Sequence, residues 1–185
     1  MAVPESYTML DLTGRFERNA SLSSAPDITM PPPWKDIAPS VWRDLAINHF
    51  KDDDGQERMW LSQLLRRDAP PTEGEWVVDW QERRKENPVL GPIIGQMRRV
   101  KTAELDAQFL RAGWTPDTRR HGVLQRIIRG TWSGRDWSLT ETFGIEEVDG
   151  ARHLARHVRT MGKGEDGHEY FFNWRVVYDY VGEID

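Results

Sequence analysis

Between Asp136 and Val148 the chain alternates apolar and polar residues. Trp137, Leu139, Phe143 and Ile145 fall on one face, and Ser138, Thr140, Thr142 and Glu146 on the other. A period of two is the mark of a strand whose faces meet different surroundings. Asp149-Gly150 is a hairpin turn signal, after which Ala151–Met161 returns as the next strand. Gly162–Gly167 is a second turn, and His168–Tyr180 runs out with Tyr170, Phe172, Trp174, Val176, Tyr178 and Tyr180 in one phase. Upstream, the β-branched, turn-bounded run Val123–Thr131 completes a four-strand meander.

The first half follows the same logic less regularly. Val41–Phe50 reads as a strand, Lys51–Gly55 as its turn and Glu57–Leu65 as the answering strand. Glu75–Arg83 places Trp76, Val78 and Trp80 on one face, and Asn87-Pro88 ends that run. Val89–Lys101 is strand-like, with Gly91-Pro92 and Gly95 predicting a bulge or bend. Helices are expected around Trp34–Ala38, after Pro31–Pro33, and over Thr102–Ala112, where Leu105, Phe109 and Leu110 recur at helical spacing before Gly113. About eight strands joined by short turns avoid open edges by closing on themselves. The expected fold is therefore all-β, a single domain over 1–185 forming an antiparallel barrel of about eight strands. A barrel of that size holds one small ligand.

Composition narrows the chemistry. Of 185 residues, 38% are hydrophobic and nine are Trp, enough to build a core. The net charge of −5 argues against a general nucleic-acid binder, which shows a basic excess. Cysteine is absent, which excludes disulfides, cysteine-based zinc sites and thiol nucleophiles. No run approaches the ~20 apolar residues of a membrane span. Met1–Tyr7 lacks a basic segment leading into an apolar one, so a cytoplasmic protein is expected and Asn19-Ala20-Ser21 is read as a chance glycosylation match. No phosphate loop, nucleophile elbow or dinucleotide fingerprint occurs, and no cofactor is expected. His153 and His157 on a strand stand ~13 Å apart, too far to share a metal. Arg152, Arg156 and Arg159 read as exposed charges.

Several segments in order resemble the lipocalin-like proteins of filamentous fungi found beside secondary-metabolite genes. They are Leu12–Phe16 with Asn19 and Leu22-Ser23, then Gly91–Val100, Asp106–Trp114, Trp137–Arg159 and Val177–Asp179. The chain departs from that pattern between Ile28 and Arg43, where Pro31–Pro39 replaces a Gln-Gly-hydrophobic-Trp helix. Gly14-Arg15-Phe16 also replaces the Gly-x-Trp of ordinary lipocalins, with Phe16 expected to plug the closed end. Some members of the group are similar to enzymes that dehydrate a benzylic-type alcohol to a quinone methide. Those enzymes then direct its hetero-Diels–Alder addition to an alkene such as humulene. The resemblance implies such an activity here, without a cofactor, on small aromatic and terpenoid substrates.

That chemistry needs a dry, shaped cavity and a group that moves a proton. Glu141 shares the apolar face of Trp137–Ile145 and is expected to be a buried acid with a raised pKa. The competing reading is a salt bridge to an interior arginine such as Arg98 or Arg126. His49, in phase with Val41, Leu45 and Ile47, is the second proton-transfer candidate, against a solvent-facing residue before a turn. Trp80, Trp137, Trp174 and Tyr178 are the expected pocket walls, with Arg98 as a further substrate contact, against simple core packing for each. Two other functions fit the same cavity: a non-catalytic carrier of an apolar metabolite, or a cyclase, isomerase or dehydratase acting on another polyketide or terpenoid.

Overall fold

The computed structural model describes residues 1–24, 43–64, 72–87 and 90–184. Its strands are β1 (Gly14–Asn19), β2 (Asp44–Lys51), β3 (Glu57–Leu64), β4 (Thr72–Val77), β5 (Arg83–Asn87), β6 (Gly91–Val100), β7 (Val123–Trp132), β8 (Arg135–Val148), β9 (Ala151–Lys163) and β10 (Glu169–Gly182). They form one ten-stranded sheet in the order β4-β3-β2-β1-β10-β9-β8-β7-β6-β5. Every named strand pair is antiparallel, and only β1 and β10 are neighbours far apart in the chain.

The sheet curls strongly into a half-barrel rather than closing as a barrel of eight. Two strands beyond the expected number account for part of this. Gly14–Asn19 is a strand in its own right, and the run expected as Glu75–Arg83 is broken in two. The break falls at Trp80, whose φ of 62° is incompatible with an extended strand. Asp79 fixes the turn by accepting from the Gln81 amide at 3.0 Å and gripping the Arg83 guanidinium at 2.6 Å. The two pieces, β4 and β5, become the sheet's opposite edges. A single parallel bridge, Val78 to Met97, and the Lys85 ammonium donating to the Glu75 carbonyl reach across there. The charged sequence Arg-Arg-Lys-Glu-Asn of β5 suits an edge, because it discourages pairing with another chain.

The strand phases of the second half follow the alternation. Register sets the inward-facing side chains in rows across β7, β8, β9 and β10. The first row is Gly130, Trp137, Gly162 and Tyr170; the second is Ile128, Leu139, Thr160 and Phe172; the third is Arg126, Glu141, Val158 and Trp174. Trp137, Leu139, Phe143, Ile145, Trp174, Val176 and Tyr178 are all buried in one hydrophobic cluster. Gly95 and Gly130 lie in unbroken strand register, so neither is a bend. Each is a seat for a tryptophan: a Cβ on Gly130 would stand 2.8 Å from the Trp137 ring, and one on Gly95 2.5 Å from that of Trp76.

Residues 3–12 cross one end of the half-barrel and close it. Val3, Tyr7, Met9 and Leu12 join the core cluster, and Phe16 packs edge-on against Tyr7 and Tyr180 at 5.9 and 5.7 Å. Phe16 is thus buried where this segment crosses the end of the half-barrel. Gly14 permits this packing, since a Cβ there would lie 2.6 Å from the Tyr180 ring.

The outer face is partly covered by 102–121. The helix expected over Thr102–Ala112 is instead a 3₁₀ turn (Thr102–Glu104) followed by one helical turn, α1 (Gln108–Arg111). Neither has a side-chain cap, so nothing stabilises a longer helix there. A second helix, α2 (Pro116–His121), starts where the Thr115 hydroxyl accepts from the Thr118 amide and Pro116 occupies the first turn. The helix expected at 34–38 lies outside the described residues.

Candidate functional site

The concave face carries charge at its centre. Glu141 on β8 is fully buried. Its Oε2 accepts from Arg126 Nε at 2.6 Å, and its Oε1 from Arg156 Nε at 3.1 Å, each guanidinium giving a further, shorter contact. Arg126 sits directly across from Glu141 on β7, and Arg156 is diagonal to it on β9. Arg156 also donates to the Tyr178 hydroxyl at 3.3 Å. Aromatic faces complete the enclosure: Arg126 lies over Trp76 at 4.7 Å, and both guanidiniums flank Phe143.

This arrangement reverses one expectation about Glu141. Burial pushes its carboxyl up, but the charges of Arg126 and Arg156 outweigh burial and hold the pKa below the usual carboxylate value. The carboxyl is ionised, not a poised acid. The salt-bridge alternative therefore describes the geometry, with Arg126 as foreseen and Arg156 in place of Arg98. Arg156 is itself a correction, being buried rather than exposed. Tyr178 is fully buried, and desolvation raises its pKa, so the phenol remains a neutral hydrogen-bonding group.

Above the cluster, β10 presents an aromatic ladder. Tyr170, Phe172 and Trp174 have rings 6.2 and 6.1 Å apart and nearly parallel, tilted by 9° and 4°. Alternate residues of a strand share a face, which is why the ladder is regular. Trp137 lies two strands away, turned over Gly130. Its indole Nε1 and the Thr160 hydroxyl are buried without a hydrogen-bond partner.

A second charged group lies at the plugged end. His49 Nδ1 accepts from the Leu12 amide at 3.2 Å, and Nε2 lies 2.8 Å from Glu57 Oε1. The first bond places the proton on Nε2, which donates to the carboxylate. Arg99 grips the same carboxylate through Nε at 3.2 Å and through a shorter Nη2 contact, and reaches the Met9 carbonyl at 2.8 Å. Burial pushes Glu57 up, but the bonds from His49 and Arg99 bring its pKa down to about 2. His49 is thus buried beneath the N-terminal segment, not solvent-facing.

Of the residues singled out from sequence, Glu141, Trp137, Trp174 and Tyr178 share the concave wall. Trp80 and Arg98 do not: they stack on each other at 4.2 Å, with Arg98 Nε donating to Gln125 on the outer side of the sheet. The phase of β6 explains this, since Ile93 and Met97 face inward and Arg98 must face out. Arg99, which was not singled out from sequence, has the opposite phase, in step with Ile93 and Met97, and reaches the Met9 carbonyl and Glu57. His153 and His157 face outward with separate partners. His153 meets the Tyr178 carbonyl and Asp179; His157 meets Glu146 and the Phe109 carbonyl between the Phe109 and Trp114 rings. Among the described residues no cluster of three or more His, Asp or Glu side chains is placed to hold a metal.

Comparison of the chain with models of protein families, with curated proteins and with solved structures finds no match.

Proposed function

We propose that the concave face holds an oxygenated aromatic molecule and transforms it without a cofactor. The reaction is loss of water from a benzylic or tropolonic alcohol to a quinone methide, then hetero-Diels–Alder addition to a sesquiterpene alkene such as humulene. One observation carries the reading: an aromatic ladder leads down to a buried arginine–glutamate–arginine–tyrosine cluster. Flat rings provide stacking surface for a conjugated substrate, and excluded water protects a reactive intermediate.

The chemistry balances without an added reagent. The ring hydroxyl loses its proton, the exocyclic C–O bond breaks, and hydroxide leaves with that proton as water. The exocyclic carbon and ring oxygen then bond to the two alkene carbons. Negative charge develops on the ring oxygen, where guanidinium and phenol donors are effective. Glu141 is a positioning residue in this scheme, fixing Arg126 and Arg156 rather than donating a proton. His49, with both ring nitrogens engaged, serves the N-terminal plug. Holding the two reactants in register supplies the larger share of the rate, on the order of 7–11 kcal/mol for well-oriented partners.

The test is incubation of the protein with a hydroxymethyl tropolone and humulene, without cofactor, followed by chiral chromatography. A faster reaction giving one stereoisomer supports the reading, and Tyr178→Phe then lowers turnover more than substrate affinity. A rate and product mixture equal to buffer alone rejects it. A second reading, a carrier of the same class of molecule, is favoured by the ionised and fully engaged state of Glu141, which makes it a poor proton donor. Saturable quenching of Trp fluorescence without product formation selects the carrier.

A further inference from the structure

The inward rows of the sheet extend past β7 to the edge strand β5. Lys85 lies directly across from Ile93, and Ile93 from Gly130, so Lys85 continues the first row, that of Gly130, Trp137, Gly162 and Tyr170. One row down, Gly95 seats the ring of Trp76, and the row below that holds Arg126. The indole is therefore flanked by two cations: the Lys85 ammonium stands 4.3 Å and the Arg126 guanidinium 4.7 Å from the ring centre. Lys85 is half-buried, whereas Lys51, Lys101 and Lys163 are exposed.

Negative charge is short at this place. Lys85 forms no ion pair among the described residues: it meets the Glu75 carbonyl, but the Glu75 carboxylate is taken by Arg58. Arg126 contacts one carboxylate among the described residues, that of Glu141, which Arg156 also grips. Asp79, the next carboxylate along the edge, is engaged by Arg83. Burial, and then the facing charge of Arg126, hold the Lys85 pKa below the usual lysine value. A cation drawn out of water and short of counter-charge is costly, and an anion that reaches it relieves that cost.

Room for such an anion adjoins. A cleft of about 960 Å³ at the open end is lined from within by Ile93, Gly130, Trp137, Gly162 and Tyr170, the first-row neighbours of Lys85. Its rim is close to neutral. The cations Arg84, Arg129, Arg135 and Lys163 stand there with the carboxylates of Asp136 and Glu169, and Arg129 is already paired with Glu82. The rim therefore admits a ligand without sorting it by charge, and selection falls to the interior. We propose that the concave face takes its aromatic ligand as an anion, with an ionised ring oxygen held at Lys85 and Arg126. This rests on the reading of the concave face as the site of an oxygenated aromatic molecule, and it deepens that reading. A ring hydroxyl that binds already ionised has given its proton to solvent and needs no base from the protein, which agrees with a Glu141 carboxylate occupied by two arginines. A proton is taken back from solvent when hydroxide leaves as water, so the sum is unchanged.

Titration calorimetry of the full chain with two probes tests the proposal. Tropolone, at a pH where it is ionised, carries the anionic oxygen; 2-methoxytropone has the same ring and cannot ionise. The expected result is saturable binding of tropolone and an affinity for 2-methoxytropone weaker by about tenfold or more. Lys85→Gln narrows that gap several-fold and leaves the affinity for 2-methoxytropone unchanged. The variant keeps a donor for the Glu75 carbonyl at a half-buried edge position, so folding is retained, and the comparison of the two probes on the natural chain stands without it. Equal affinities for the two probes, or a gap that Lys85→Gln leaves untouched, overturn the proposal while the concave face remains a binding site. Failure of both probes to bind at saturating concentration overturns the aromatic-ligand reading itself, and the proposal with it.

Discussion

Replacing Glu141 with Gln probes the most heavily buried charge among the described residues. The substitution keeps the shape but removes the carboxylate that Arg126 and Arg156 share. Both guanidiniums are almost completely buried, so water cannot take over its role. Breaking a buried ion pair from one side costs about 3–5 kcal/mol, because the remaining charge is left uncompensated. For a chain of this length each kcal/mol lowers Tm by about 2–4 °C, so the midpoint falls by about 6–20 °C. Urea unfolding followed by Trp fluorescence gives the same quantity as a shift in midpoint at constant slope. A second substitution tests the shared counter-ion more sharply. Arg126→Met alone leaves Glu141 paired with Arg156 and costs less than Glu141→Gln. Added to Glu141→Gln, it removes a stranded charge and restores part of the lost stability. A double variant less stable than either single one, or a Glu141→Gln loss below about 1 kcal/mol, refutes the assignment of Glu141 as the shared counter-ion.

Acid should loosen the plugged end. The Glu57 pKa is lowered from the usual 4.5 to about 2, so its contribution is fully present above about pH 4.5 and is lost as pH falls towards 2. Glu57→Gln flattens the stability profile over that window, which acid titration of unfolding midpoints measures. Gly130→Ala places a methyl group within 2.8 Å of the Trp137 ring and should cost about 1–3 kcal/mol. Near-ultraviolet circular dichroism should show the indole displaced; an unchanged spectrum with unchanged stability would show that the seat has slack.

Strand phase was legible wherever apolar residues kept a strict period of two. The faces of β8 and β10 follow directly from their sequences, and so do four of the residues on the concave wall. In β9 polar residues occupy both phases, with Arg152, His153, Arg156, His157 and Arg159 all present. Its orientation comes from pairing Arg156 with Phe143, a relation no local window contains. The same limit hid the glycines. Gly95 and Gly130 look like breakers in isolation, and their role emerges only when the tryptophans seated on them are placed. Trp80 concealed the β4–β5 break because a non-glycine residue with positive φ has no sequence signature. Thr115-Pro116 was a readable helix start, a capping hydroxyl followed by proline, although the neighbouring Leu105–Leu110 spacing drew the helix prediction elsewhere.

The sheet order has a consequence for how the chain finds its fold. Read from one edge, it is β5 through β10 followed by β1 through β4, each segment in chain order. One junction, β10 with β1, joins opposite ends of the polypeptide, and the Tyr180 amide donates to the Met1 carbonyl at 2.8 Å beside it. A circular permutant with a short linker across that junction and new ends between β4 and β5 would have all ten strands in sequential order. Its only pairing of high sequence separation becomes a local hairpin, and loop-closure entropy no longer opposes it. Lower contact order accelerates folding, so the permutant should refold faster while keeping the same sheet. With the present connectivity the β1–β10 pairing spans the greatest sequence separation among the described strand pairs, and so carries the largest loop-closure cost in the sheet.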